Sequence, residues 1–122
     1  MEKNADLKYN IDTLNACKRI ITKRGLQYEN DCFIITANIA SAISGKLFTP
    51  EDVGLLLIAN KLARYTNISK QMLHKYNKNI QKTFMDTVID AANYIILMSR
   101  EKLKYDKEKV RNKTRKTKAA KR

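Results

Sequence analysis

Three glycines and one proline in 122 residues leave this chain little with which to turn. A sandwich or barrel needs a turn signal about every ten residues, and a doubly wound sheet is disfavoured on the same ground. With 43% hydrophobic residues the chain is not a disordered polyelectrolyte either. The predicted class is all-α: a compact four- to five-helix bundle over residues 1–100, followed in 101–122 by the end of the last helix and a basic tail. A core of that size is modest and gains from oligomerisation, so a homo-oligomer is expected.

Periodicity places the helices. Ile11, Leu14, Cys17, Ile20 and Ile21 predict a first helix from near Asn10 to Arg24, ended by Gly25. Phe33, Ile34, Ala37, Ile39, Ala40 and Ile43 predict a second from about Asp31 to Ser44, stopped by Gly45. The third opens on the clearest local signal in the chain: Thr49 as N-cap, Pro50 at the first helical position, and Asp52 three residues after the cap. Val53 to Leu62 is apolar almost all round, so this helix should be central, with Asn60, Lys61 and Arg64 confined to its C-terminal end. Residues 65–82, interrupted by Asn67, Ser69, Asn77 and Asn79, predict a loop with at most one short helix. Phe84, Val88, Ala91, Ile95 and Met98 then predict a final helix from about Thr83 to Lys104, and Arg111 to Arg122 is predicted to be disordered, or helical only when bound.

Charge narrows the partners. The formal net charge is +13, and residues 53–85 carry six basic side chains with no acid, while residues 101–122 carry eleven basic against three acidic. Such segregation favours an anionic partner. The N-terminus is charged and cannot begin a signal peptide, and no apolar run is long enough to span a bilayer, so a cytoplasmic protein with no membrane partner is expected. Cys17 and Cys32, without a Cys-x-x-Cys pair or a histidine cluster, read as small buried thiols rather than zinc ligands or a disulfide.

Three constellations bear on chemistry. Lys61 and Arg64 share one face of the third helix, and Asp86, Asp90 and Asn93 one face of the last. Antiparallel packing would bring the four charges together, either as a phosphate or nucleotide site in which the carboxylates hold Mg²⁺ or orient the cations, or as a salt-bridge cluster that fixes register. The acid-free stretch Arg64, Tyr65, Lys70, His74, Lys75, Tyr76, Lys78 and Lys82 combines lysines with tyrosines that can follow a phosphate backbone and stack on bases, though a solvated loop accounts for it as well. The tail, centred on Lys113, Arg115 and Lys116, can bind any polyanion but reads no sequence. A glycine-rich phosphate loop, a Ser-His-Asp set and a histidine-rich metal motif are all missing, which removes most familiar enzyme classes.

Taken in order, Arg24-x-x-Gln27-Tyr28, Thr49-Pro50-Glu51-Asp52-Val53 leading to Lys61-Leu62-Ala63-Arg64, and Asp86-x-x-x-Asp90-Ala91-Ala92-Asn93-Tyr94 resemble a family of small uncharacterised bacteriophage and prophage proteins, itself similar to the MazG-like all-α nucleotide pyrophosphohydrolases. The resemblance covers roughly residues 10–100. It implies an oligomeric helical bundle tied to nucleotide metabolism, with Arg24, Gln27, Tyr28, Glu51, Asp52, Lys61, Arg64, Asp86, Asp90 and Tyr94 carried over. Active MazG-like enzymes hold Mg²⁺ with a Glu-x-x-Glu pair, which this sequence lacks, and Asp86 and Asp90 are four apart rather than three. The residues therefore fit binding of a phosphorylated nucleotide or nucleotide-derived signal better than hydrolysis, and by analogy with the resembled family, not from any residue, sequestering such a ligand would suit an anti-defence or host-takeover role. Nonspecific nucleic-acid binding through the tail and residues 64–82 is the alternative, and Mg²⁺-dependent pyrophosphate release using Asp86 and Asp90 a second.

Overall fold

In a computed structural model the backbone is described for residues 2–24 and 32–120, and side chains for 4–24 and 32–117. Four helices and, among the described residues, no strand make the fold: α1 (Glu2–Lys23), α2 (Cys32–Ser44), α3 (Pro50–His74) and α4 (Lys78–Ala120). The all-α class read from the sequence holds. The Gly25 stop, with Gln27, Tyr28 and Asp31, lies outside the described residues.

The α2–α3 connection is set by local chemistry. Gly45 takes φ 72°, the left-handed region a glycine enters without steric cost, and its N–H donates to Ser41 O at 3.0 Å. The Phe48 N–H donates to Ser41 Oγ at 2.9 Å. The predicted capping box then closes: Asp52 N–H donates to Thr49 Oγ1 at 3.2 Å and Thr49 N–H to Asp52 Oδ2 at 2.9 Å. A cap of this kind is worth about 1 kcal/mol, and here it fixes where α3 leaves the turn.

Helices α3 and α4 pack antiparallel, as expected. Pairs run in opposite order along the two: Glu51 with Lys102, Gly54 with Met98, Lys61 with Asp90, Tyr65 with Phe84. At Gly54 an added Cβ would lie 2.5 Å from Met98 Cγ and 2.7 Å from its Cβ, so glycine is what lets the helices approach there. The core joins Phe33 and Ala37 of α2, Val53 of α3 and Leu97 of α4, with Phe48, Leu57, Tyr94 and Met98 packed around them. Helix α1 lies on another side of α4 through buried Cys17, whose thiol burial pushes up and keeps neutral, and through Tyr9, whose hydroxyl lies 3.5 Å from Met85 Sδ.

Several boundaries differ from the sequence reading. Helix α1 begins at Glu2 rather than near Asn10. Residues 65–74, expected to be loop, continue α3, because Ile68 is buried and the Tyr65 ring packs on Phe84 with centroids 4.8 Å apart. The connection is only 75–77, and Asn77, read as a breaker, starts α4 by accepting the Ile80 N–H at 2.9 Å. Helix α4 does not end near Lys104 but runs 43 residues to Ala120. Cys32, expected to be buried, is exposed at the start of α2.

Apolar side chains are left exposed on several helices, among them Leu7, Ile11 and Leu14 of α1 and Leu55, Leu56 and Leu62 of α3. Helix α2 buries Phe33 and Ala37 but exposes Ile35, Ile39 and Ile43 on its other side at 52%, 55% and 82%. Among the described residues no helix is long and apolar enough to cross a membrane.

Candidate functional site

The α3–α4 register brings two of the four expected charges together. Lys61 Nζ lies 3.4 Å from Asp90 Oδ2, both partly shielded, and 5.9 Å from the centre of the Tyr94 ring. Arg64 and Asp86 stay exposed, and among the described residues neither has an ion-pair or hydrogen-bond partner. Asn93 is buried against α1, where its Nδ2 donates to Cys17 O at 3.4 Å. A divalent cation on Asp86 and Asp90 would share Asp90 with an ammonium 3.4 Å away, so the pair does not fit Mg²⁺. Among the described residues no three His, Cys, Asp or Glu gather elsewhere.

Lys61 and Asp90 form an ion pair across the α3–α4 contact, an arrangement that can hold helix register. A double-mutant cycle with Lys61→Met and Asp90→Asn, read by urea denaturation, is expected to give a coupling of about 1 kcal/mol. A coupling of zero would remove that role.

The larger concentration of charge is on α4. Lys102 is spent within the fold: its hydrogen bond to Asp106 at 2.8 Å, helped by the charges of Asp106 and Glu51, holds its ammonium above the ordinary lysine range. Lys104 lies 3.7 Å from Glu101 and Arg111 3.5 Å from Glu108. Past Glu108 there is no acid. Residues 109–122 hold eight basic side chains, and Lys109, Arg111, Lys113, Arg115 and Lys116 are all exposed on a continuous helix. Spacings of three and four place Lys104, Lys107, Arg111 and Arg115 in one row and Lys109, Lys113 and Lys116 in another.

The other candidates lie at the far end of α4. Lys70 and His74 are exposed near the end of α3, Lys75 and Tyr76 occupy the 75–77 connection, and Lys78 opens α4. Lys78 and Lys113 are about 50 Å of helical rise apart, so the two basic groups belong to one long ligand or to two sites. Arg24 follows the end of α1 on the surface.

Sequence reasoning missed Glu101. Assigned there to the start of the tail, it is 2% exposed, with the Arg100 guanidinium 2.9 Å from its Oε1. The signal was present: Glu101 follows Tyr94 and Leu97 at spacings of three and four, on the core row of α4.

Fold and charge together define an all-α protein in which a helical hairpin and an N-terminal helix clasp one long helix whose C-terminal part is an exposed basic rod. No known protein family, characterised protein or solved structure matches the chain.

Proposed function

We propose that this chain is a noncatalytic nucleic-acid-binding protein that grips the phosphate backbone with the basic rod of α4. The observation that carries the reading is a stretch of exposed helix, residues 109–117, with basic side chains on more than one face and no acid within it, Arg111 alone among its described residues reaching an acid, Glu108, at 3.5 Å. An α-helix about 10–12 Å across fits the major groove of a duplex, about 12 Å wide. The rod offers phosphates many cations but bases almost nothing, so binding is to backbone rather than sequence. A membrane-surface helix would need an apolar face, and beyond Tyr105 only Val110 offers one before the terminal alanines. A phosphorylated-nucleotide site at Lys61 and Arg64 has less support, because Lys61 already faces Asp90.

We also propose that two copies associate through α2. On a chain with net charge +13, α2 has no charged residue, so two copies can meet there with little repulsion.

Fluorescence anisotropy with a duplex of ~20 base pairs tests the first proposal. The logarithm of the binding constant should fall with the logarithm of salt concentration with a slope of about −4 to −6, and be indifferent to base sequence. A flat salt dependence, or tight binding to anionic phosphatidylserine vesicles with none to the duplex, would overturn it.

A further inference from the structure

Helix α1 runs parallel to α4, because Tyr9 lies beside Met85 and Cys17 beside Asn93, both pairs 76 residues apart. The same offset sets Lys23, the last residue of α1, beside Ser99, and beyond it α4 continues to Ala120. Asn93 points at α1. Arg111 lies eighteen residues further on, which is five whole turns, so it points the same way, and Lys107 and Arg115 flank that direction within about 40°. This row of rod cations therefore lies on the side of α4 that α1 occupies earlier along the helix.

The end of α1 is itself basic. Residues 13–23 contain Lys18, Arg19 and Lys23 and no acid, and the preceding acid, Asp12, is about 9 Å of helical rise before Lys18. All three cations are exposed, and among the described residues their side chains have no ion-pair or hydrogen-bond partner. With Asn15 and Thr22 they line an open concavity of about 560 Å³. The helix dipole accounts for Lys23, which is in the last turn, but its effect fades within that turn and gives no reason for Lys18 and Arg19.

Distance relates the two sets of cations. Packed helices stand about 8–10 Å apart axis to axis, and the wall of a major groove about 12 Å wide lies at a comparable distance from the axis of a helix seated in it. A backbone strand held by Lys107, Arg111 and Arg115 thus leads to the end of α1. Position 99 to position 115 of α4 is about 24 Å of rise, so one duplex can touch both.

We propose that the C-terminal end of α1 is a second phosphate-binding site, at which Lys18, Arg19 and Lys23 hold the backbone strand that the Lys107, Arg111 and Arg115 row engages. The site presupposes that the rod binds duplex, and it adds a direction: the nucleic acid lies along the α1 side of α4.

Fluorescence anisotropy on the full chain, with the duplex of ~20 base pairs used for the rod, tests the site. Replacing Lys18, Arg19 and Lys23 together with glutamine should weaken binding at least about tenfold near 0.1 M salt and reduce the salt slope by about 2, on the scale of 0.9 for each phosphate released. The far-ultraviolet spectrum and thermal midpoint should not change, since all three side chains are exposed. Lys8→Gln, which takes an exposed cation from the other end of α1, should leave the affinity within about twofold of wild type and the slope unaltered. A triple variant that binds like the wild type, while glutamines at Lys109, Lys113, Arg115 and Lys116 still weaken binding, would overturn the α1 site and leave the rod reading intact. A loss for Lys8→Gln as large per charge as for the triple variant would also overturn it, by making the effect one of net charge. A wild type without duplex affinity removes both the site and the rod reading.

Discussion

Replacing Lys109, Lys113, Arg115 and Lys116 together with glutamine is expected to lower duplex affinity at least about a hundredfold near 0.1 M salt, and to flatten the salt dependence by about three to four in slope, close to 0.9 for each phosphate no longer neutralised. Glutamine has a helix propensity close to that of lysine and arginine, so the rod should persist. None of the four supports the bundle: all are exposed, and among the described residues their side chains meet only the Tyr105 ring, over which Lys109 Nζ sits at 4.9 Å. The thermal midpoint should therefore not change, while Lys61→Met should leave duplex binding at wild-type strength. Side-chain replacement is cleaner than removing everything after Arg100, because that cut would also delete Glu101, which is 2% exposed. A variant that keeps wild-type affinity and slope would place the nucleic-acid interface elsewhere or nowhere.

Much of the fold was legible because its signals are local. The Thr49 capping box, the Gly45 stop and the apolar rows of α2 and α3 each depend on residues within a turn or two of one another, and the structure contains the cap, the stop and both helices, although Ile39 and Ile43 of α2 and Leu55, Leu56 and Leu62 of the stretch expected to be central in α3 stay exposed. The reading failed where packing between distant segments overrides local preference. Asn67 and Ser69 are weak helix formers, yet α3 continues through them because Ile68 is buried and Tyr65 meets Phe84, nineteen residues on. Asn77 has poor propensity inside a helix, but its value lies in starting one. The charge pairing was legible only in part. Spacing put Lys61 and Arg64 on one face, but rotation of that face against α4 brings Lys61 to Asp90 and leaves Arg64 at the surface. No pattern within one helix carries that information.

The second large effect is expected at α2. Changing Ile35, Ile39 and Ile43 to glutamine should convert a wild-type dimer to a monomer by sedimentation velocity at micromolar concentration, with the far-ultraviolet spectrum unchanged because none of the three is in the core. Full burial of an isoleucine is worth about 1.5–3 kcal/mol, and these are already partly covered, so six side chains across a symmetric pair contribute about 5 kcal/mol, or a few thousandfold in the dimer constant. The chain exposes 9817 Å² against about 6,700 Å² for a typical folded monomer of its mass. Exposed apolar side chains on several helices, the α2 isoleucines among them, contribute to that excess. The two proposals then couple. A dimer presents two basic rods, and once one has engaged a duplex the other binds at the effective concentration set by the first. The glutamine variant should therefore lose duplex affinity while keeping all its rod cations, and its salt slope should drop toward that of a single rod. A wild-type chain that sediments as a monomer at about 100 micromolar, well above the micromolar range in which the dimer is expected, would remove the α2 interface and leave each rod to bind alone.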